Sequence, residues 1–154
     1  MYRTWYNSVV DDQLMIVDCI TYYENELVES RKELSIKGER IEHHAATLPS
    51  ITELRYSQLQ DIEAILEYLN IQYKKVRSSA FKKYTTSHNK ALTSRDAEKY
   101  VDGDDSVIES AMLINRFALL RNQYLAVMKG IEAKHWEITN IVKLRCAGIE
   151  DARL

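Results

Sequence analysis

Apolar residues recur at intervals of seven between Ser8 and Thr47. Ile20, Leu27, Leu34, Ile41 and Leu48 form one seam, and Val9, Ile16 and Tyr23 a second over the first half. Seams on such a repeat form the buried stripe of a long amphipathic helix. The pattern predicts one helix over 8–47, weakened or bent at Gly38, where glycine costs up to about 1 kcal/mol relative to alanine. At "TLPSITEL" Pro49 cannot continue a helix, and Ser50 with Glu53 matches the S-x-x-E capping box of a new one. The second helix carries Ile51, Leu54, Ile62, Ile65, Leu69 and Val76 at helical spacing and fades near Tyr84, so 8–84 reads as a helical hairpin.

Residues 85–105 read as a polar connection holding one short helix, capped by Ser94 in "TSRDAEKYV" and ended at "DGDD". Asp104 or Asp105 then caps a third long helix over 105–148. Phe117, Tyr124, Ile131 and Ile138 stand seven apart along it, Gly130 is its weak point and Gly148 a C′ stop. The prediction is an all-α, extended single domain spanning 1–154. One chain cannot cover the apolar stripes of such long helices, so a helical homo-oligomer of coiled-coil type is expected.

Composition agrees with this: 45% hydrophobic residues, four Gly and one Pro suit a helical protein and leave little of the punctuation that β-structures need. No apolar run reaches the roughly 18 residues of a membrane span, and "MYRTWYNSVVDDQ" lacks the layout of a signal peptide. A cytoplasmic protein without a membrane partner is expected. Cys19 and Cys146 follow no C-x-x-C spacing and read as small buried residues.

Charge changes the picture. The formal net charge is -2, yet residues 1–73 carry 6 positive and 13 negative groups, residues 74–99 carry 8 and 2, and residues 100–154 carry 7 and 8. Lys74, Lys75, Arg77, Lys82, Lys83 and Lys90 supply most of the basic middle, with Phe81 and Tyr84 among them. Cations beside aromatic rings suit single-stranded nucleic acid, because the cations replace phosphate counterions while the rings stack on any base. On pattern alone, a solvated basic helix end is the simpler reading.

Candidate catalytic chemistry is sparse. Neither a G-x-x-x-x-G-K-[ST] loop nor G-x-G-x-x-G occurs, so nucleotide hydrolysis and dinucleotide binding have no visible basis. His43 and His44 are adjacent, about 100° apart on a helix, and read as surface residues rather than a zinc pair. His88 and His135 have no evident carboxylate or cysteine partner. "VDGDDSVIE" lacks the calcium-loop pattern and reads as a helix cap. Trp5, Tyr6, Tyr22 and Tyr23 read as core or interface. No catalytic residue, metal or cofactor is expected.

Three blocks carry a further signal. "KYTTS" at Lys83 to Ser87, "KYVDGDD" at Lys99 to Asp105 and "KHWEITNIVKLRCAG" at Lys134 to Gly148 resemble, in order and spacing, the phage recombination mediators of the UvsY type. Lys134, Trp136, Ile138, Asn140, Ile141, Arg145 and Gly148 hold the places of the last and most specific block. The resemblance covers about residues 70–150. It implies a small, mainly helical, ring-forming protein in the cytoplasm of a bacterial host. Such a protein binds single-stranded DNA and helps a RecA-like recombinase replace a single-strand binding protein. It also implies that the DNA-contacting segment ends at Tyr84. Two basic family positions fall on Ser78 and Ala80, flanked by Lys75, Arg77, Lys82 and Lys83. Lys134, Trp136 and Arg145 belong to the DNA path or the oligomer interface. The resemblance turns the basic segment from a helix end into the expected DNA-facing stretch. The alternatives are a coiled-coil structural or adaptor protein of a phage, with the basic segment as a protein interface, and a small regulator that inhibits a host nuclease or recombinase.

Overall fold

The computed structural model describes residues 4–38, 40–86 and 92–149. Five α-helices and one 3₁₀ turn occur there, with no strand among the described residues, so the chain is all-α as predicted. The order is α1 (Trp5–Asp11), the 3₁₀ turn Gln13–Met15, α2 (Ile16–Glu33), α3 (Ile41–Thr86), α4 (Ser94–Asp102) and α5 (Asp105–Cys146).

The predicted helix over 8–47 is divided in two places. Asp12 is extended, with φ −144°, and its carboxylate accepts the Leu14 amide at 3.0 Å, which stops α1 and opens the 3₁₀ turn. The chain reverses between the end of α2 and the start of α3, where Gly38 takes φ +88°. Only glycine enters that region without a steric cost. The seam of seven survives because α3 folds back onto the same core: Ile20, Leu27, Ile41 and Leu48 are all buried although they belong to two helices.

Pro49 is not the break. It lies inside α3, and Ser50 caps nothing; its hydroxyl donates back to the Thr47 carbonyl at 2.8 Å. The Thr47 and Thr52 hydroxyls make similar bonds to His43 and Leu48. A proline costs an isolated helix about 3 kcal/mol. Here Leu48 on one side of it and Leu59, Ile62 and Ile65 on the other are held in one core with α5, so packing carries the helix through.

The remaining boundaries lie close to those predicted. α4 is capped by Thr93, one residue before the expected Ser94; its hydroxyl accepts the Asp96 amide. Asp104 caps α5 through the Ser106 amide at 3.1 Å. At the other end, Ile149 N–H bonds Leu144 O and Gly148 N–H bonds Arg145 O, with Gly148 at φ +78°, a Schellman stop.

At 1.5 Å per residue α3 and α5 are about 69 and 63 Å long. They run antiparallel: Leu48 and Pro49 face Ile138 and Thr139 at one end, and Lys83 and Tyr84 reach Asp104 at the other. α2 lies against their middle, with Tyr23 edge-on to Tyr124 at 5.8 Å. The Asp61 carboxylate of α3 accepts the Trp5 and Tyr6 amides at 3.0 and 3.2 Å and the Tyr23 hydroxyl at 2.5 Å, tying α1 and α2 to α3. The main core runs through this bundle. A second, smaller core of Ala80, Val101 and Val107, covered by Tyr73, Val76, Phe81 and Tyr84, lies where α4 crosses the end of α3.

Three single-residue expectations are corrected by burial. Cys19 is buried, and burial pushes its thiol up to about 12, but Cys146 is exposed. His44 is buried, only 7% exposed, because α3 starts at Ile41 and places position 44 on the face of Ile41 and Leu48. Lys134 is 4% exposed, on the α5 face of Ile131 and Ile138. Its ammonium donates to the Glu33 carbonyl at 2.6 Å, at the end of α2, where the helix dipole favours a cation. Burial lowers its pKa.

Candidate nucleic-acid interface

The basic segment occupies the last turns of α3, and the fold splits its residues into two groups. At 100° per residue, Lys74, Lys75, Ser78 and Lys82 fall on one face, opposite Val76 and Ala80, which pack toward α4. Lys74, Lys75 and Lys82 are exposed. They have no ion-pair partner among the described residues. They form a row of uncompensated charge about 12 Å long on the solvent side of α3.

Arg77, Lys83 and Tyr84 do something else. Arg77 bridges to Asp102, the last residue of α4, at 2.8 Å and lies 3.4 Å from the Tyr73 hydroxyl. The bonds to Tyr73 and Asp102 raise its pKa. Lys83 and the Tyr84 hydroxyl both donate to Asp104, at 3.2 and 3.0 Å, while Asp104 also accepts the Ser106 hydroxyl and amide. Those bonds, the Ser106 hydroxyl first, hold the Asp104 carboxyl well below the usual carboxylate range. Asp104 in turn raises the pKa of Lys83 and of Tyr84. The Tyr84 ring stacks on Tyr100 at 5.6 Å, and the Lys83 ammonium lies 5.1 Å from the centroid of the Tyr84 ring. These three residues clasp the α4–α5 junction to α3.

Lys90 lies outside the described residues. Trp136 and Arg145 are exposed, but on the part of α5 that faces the first turns of α3, about 50 Å along the helix from the lysine row. Arg145 there lines a recess with Gly38, Arg40 and Glu42. The structure therefore does not bring Lys134, Trp136 or Arg145 to the basic segment. Sequence reasoning missed Asp102 and Asp104 as partners of this segment. The acidic run "VDGDD" was the available signal, and only the crossing of α4 shows that it closes on α3.

A buried polar network in the bundle also went unread. Arg55 is 2% exposed, and its guanidinium donates to both Glu33 oxygens at 2.9 and 2.8 Å and to Glu26 at 2.6 Å. Gln58 donates to Glu26 at 2.8 Å. Burial works against the charge on Arg55, but its bonds to Glu33 and Glu26 outweigh that and raise its pKa.

No group of three or more metal-ligating side chains occurs among the described residues, and no helix there is long and apolar enough to cross a membrane. Among the described residues an apolar groove of about 1020 Å³ stands open between α3 and α5, lined by Leu48, Pro49, Tyr56, Leu125, Met128 and Ile138. On the outer face of α5, exposed Ile108, Met112, Leu119, Ala126, Ala133 and Trp136 fall on one three-four repeat, interleaved with exposed Asn115, Asn122 and Lys129, so that face is mixed. Comparison with protein-family models, curated proteins and solved structures finds no match to this chain.

Proposed function

We propose that the chain is a non-enzymatic recombination mediator of the UvsY type. It binds single-stranded DNA without sequence preference and helps a RecA-like recombinase take the place of a single-strand binding protein. The observation that carries this reading is the row of Lys74, Lys75 and Lys82, cations on one face with no acidic partner among the described residues. Phosphate is the ligand such a row suits, and a row without a hydrogen-bonding fork reads no base. The three motif blocks support the family assignment. Arg77, Lys83 and Tyr84 act indirectly, by holding the end of α3 against α4. Self-association repeats the row and turns several weak contacts into a tight one.

The test is titration of a labelled oligonucleotide over a range of salt. Replacing Lys74, Lys75 and Lys82 with alanine should weaken binding at least tenfold near 50 mM salt and lower the log–log salt slope by about 2, at roughly 0.7 per phosphate contact. Helicity and particle size in light scattering should not change. Undiminished binding by the triple variant would remove the row from the DNA path. The open apolar groove also favours a second reading, a phage structural or adaptor protein. Assembly by the wild-type chain with no detectable DNA binding would support that reading instead.

A further inference from the structure

The end of α3 carries a second pattern, on the face opposite the lysine row. Tyr73, Arg77, Ala80 and Tyr84 stand at i, i+4, i+7 and i+11, which sets one cation between two rings on a stripe about 16 Å long. Tyr73 and Tyr84, with Val76 and Phe81, pack against the small core of Ala80, Val101 and Val107. α4 lies on this stripe and meets it group by group. Asp102 holds Arg77 at 2.8 Å, and the Tyr100 ring lies on the Tyr84 ring, with centroids 5.6 Å apart and planes inclined by 26°.

α4 is held there lightly. Of its residues only Ala97 and Val101 are buried, while Tyr100 is half exposed and the Asp102 side chain more so. The firm attachment lies beyond the helix, at Asp104, which is buried, accepts from Lys83, Tyr84 and Ser106, and caps α5. Asp102 and Tyr100 can therefore leave the stripe while Asp104 keeps the start of α5 in place. An ion pair between exposed side chains contributes little in water. The surface that α4 covers, rings beside a cation, is also one that a single strand covers: a phosphate replaces the carboxylate and a base replaces the ring.

We propose that the stripe of Tyr73, Arg77 and Tyr84 is a second contact surface for single-stranded DNA and that α4 is its internal competitor, with Asp102 in the place of a phosphate and Tyr100 in the place of a base. The proposal rests on the DNA reading of the lysine row and adds its regulation. In the closed form Arg77 and Tyr84 hold α4. When a strand gathered by Lys74, Lys75 and Lys82 displaces α4, the same two groups turn to the strand. The row supplies the salt-sensitive first contact, and the stripe adds stacking to it.

Hydrogen exchange of the full-length protein, with and without saturating oligothymidylate, reads the position of α4. Amides over 94–102 should exchange about tenfold faster in the complex, while those over 73–86 slow and those around Ile62 and Tyr124 stay as they were. A second measurement is the oligothymidylate affinity of Tyr100→Ala, which weakens the competitor and leaves the stripe and the lysine row intact. It should tighten binding about two- to tenfold, the worth of one aromatic pair, and the gain should vanish when Tyr84 is also replaced with leucine. A merely structural Tyr100 would give equal or weaker binding. That result, or α4 amides that stay protected in the saturated complex, or a gain that persists without Tyr84, would overturn the competition while the DNA reading stands. Absence of oligonucleotide binding by both wild type and Tyr100→Ala would instead end the DNA reading, and the competition with it.

Discussion

Asp102 is the residue whose position is least explained by its own helix. It closes α4, where a negative charge meets the negative end of the helix dipole, and its side chain is 62% exposed. What it does is occupy Arg77, as a phosphate would. Asp102→Asn should free that guanidinium and tighten single-stranded DNA binding about two- to fivefold, the range of a surface ion pair. Glu98→Gln removes the same charge from α4 without freeing Arg77. Oligonucleotide affinities that fall together for the two variants would end the idea of competition. Asp104 behaves differently because it also caps α5. Its folded pKa is depressed, so its contribution is full above the ordinary carboxylate value of about 4 and is lost as pH falls through the folded value. Asparagine caps equally well but carries no charge. Urea midpoints measured from neutral to acid pH should therefore decline less steeply for Asp104→Asn than for wild type. At this scale the sequence was only partly legible. Lys134 stands three residues after Ile131 and four before Ile138, on the seam, and that spacing marked it for burial as plainly as its charge suggested the surface. The partners of Arg55 could not be read, because Glu26 and Glu33 reach it only after α2 folds back on α3.

Among the elements, the long helices were legible because their apolar positions repeat. The turns were legible only where the chemistry was local, as at Asp104 and Gly148. The hairpin break was misplaced because proline is the stronger local signal and glycine the weaker one, and packing on both sides of Pro49 reversed that order. Two substitutions test the corrected boundary. Gly38→Ala meets no atom within 4 Å, so its cost is backbone strain alone, about 1 kcal/mol or somewhat more. Pro49→Ala restores an amide donor within α3 and should stabilise by about 1–3 kcal/mol. Chemical denaturation separates the alternatives: a turn at Pro49 would put Gly38 inside a helix, where Gly38→Ala would stabilise by up to about 1 kcal/mol, and would give Pro49→Ala no gain.

For the whole molecule, the charge segregation seen in the sequence was real but incomplete. The basic stretch could be counted along the chain, whereas its division into an outward row and an inward clasp depends on α4 crossing α3. The two hydrophobic cores have a consequence for how the molecule comes apart. The small one joins α4 to the end of α3 through Ala80, Val101 and Val107, apart from the cluster that secures the bundle. Regions with few buried contacts open at a lower free energy than the global transition. Backbone amides over 73–86 and 94–107 should therefore exchange with deuterium together, sooner than those of the bundle centre around Ile62 and Tyr124. The lysine row would then be carried on a segment that can loosen and re-form while the rest of the chain stays folded.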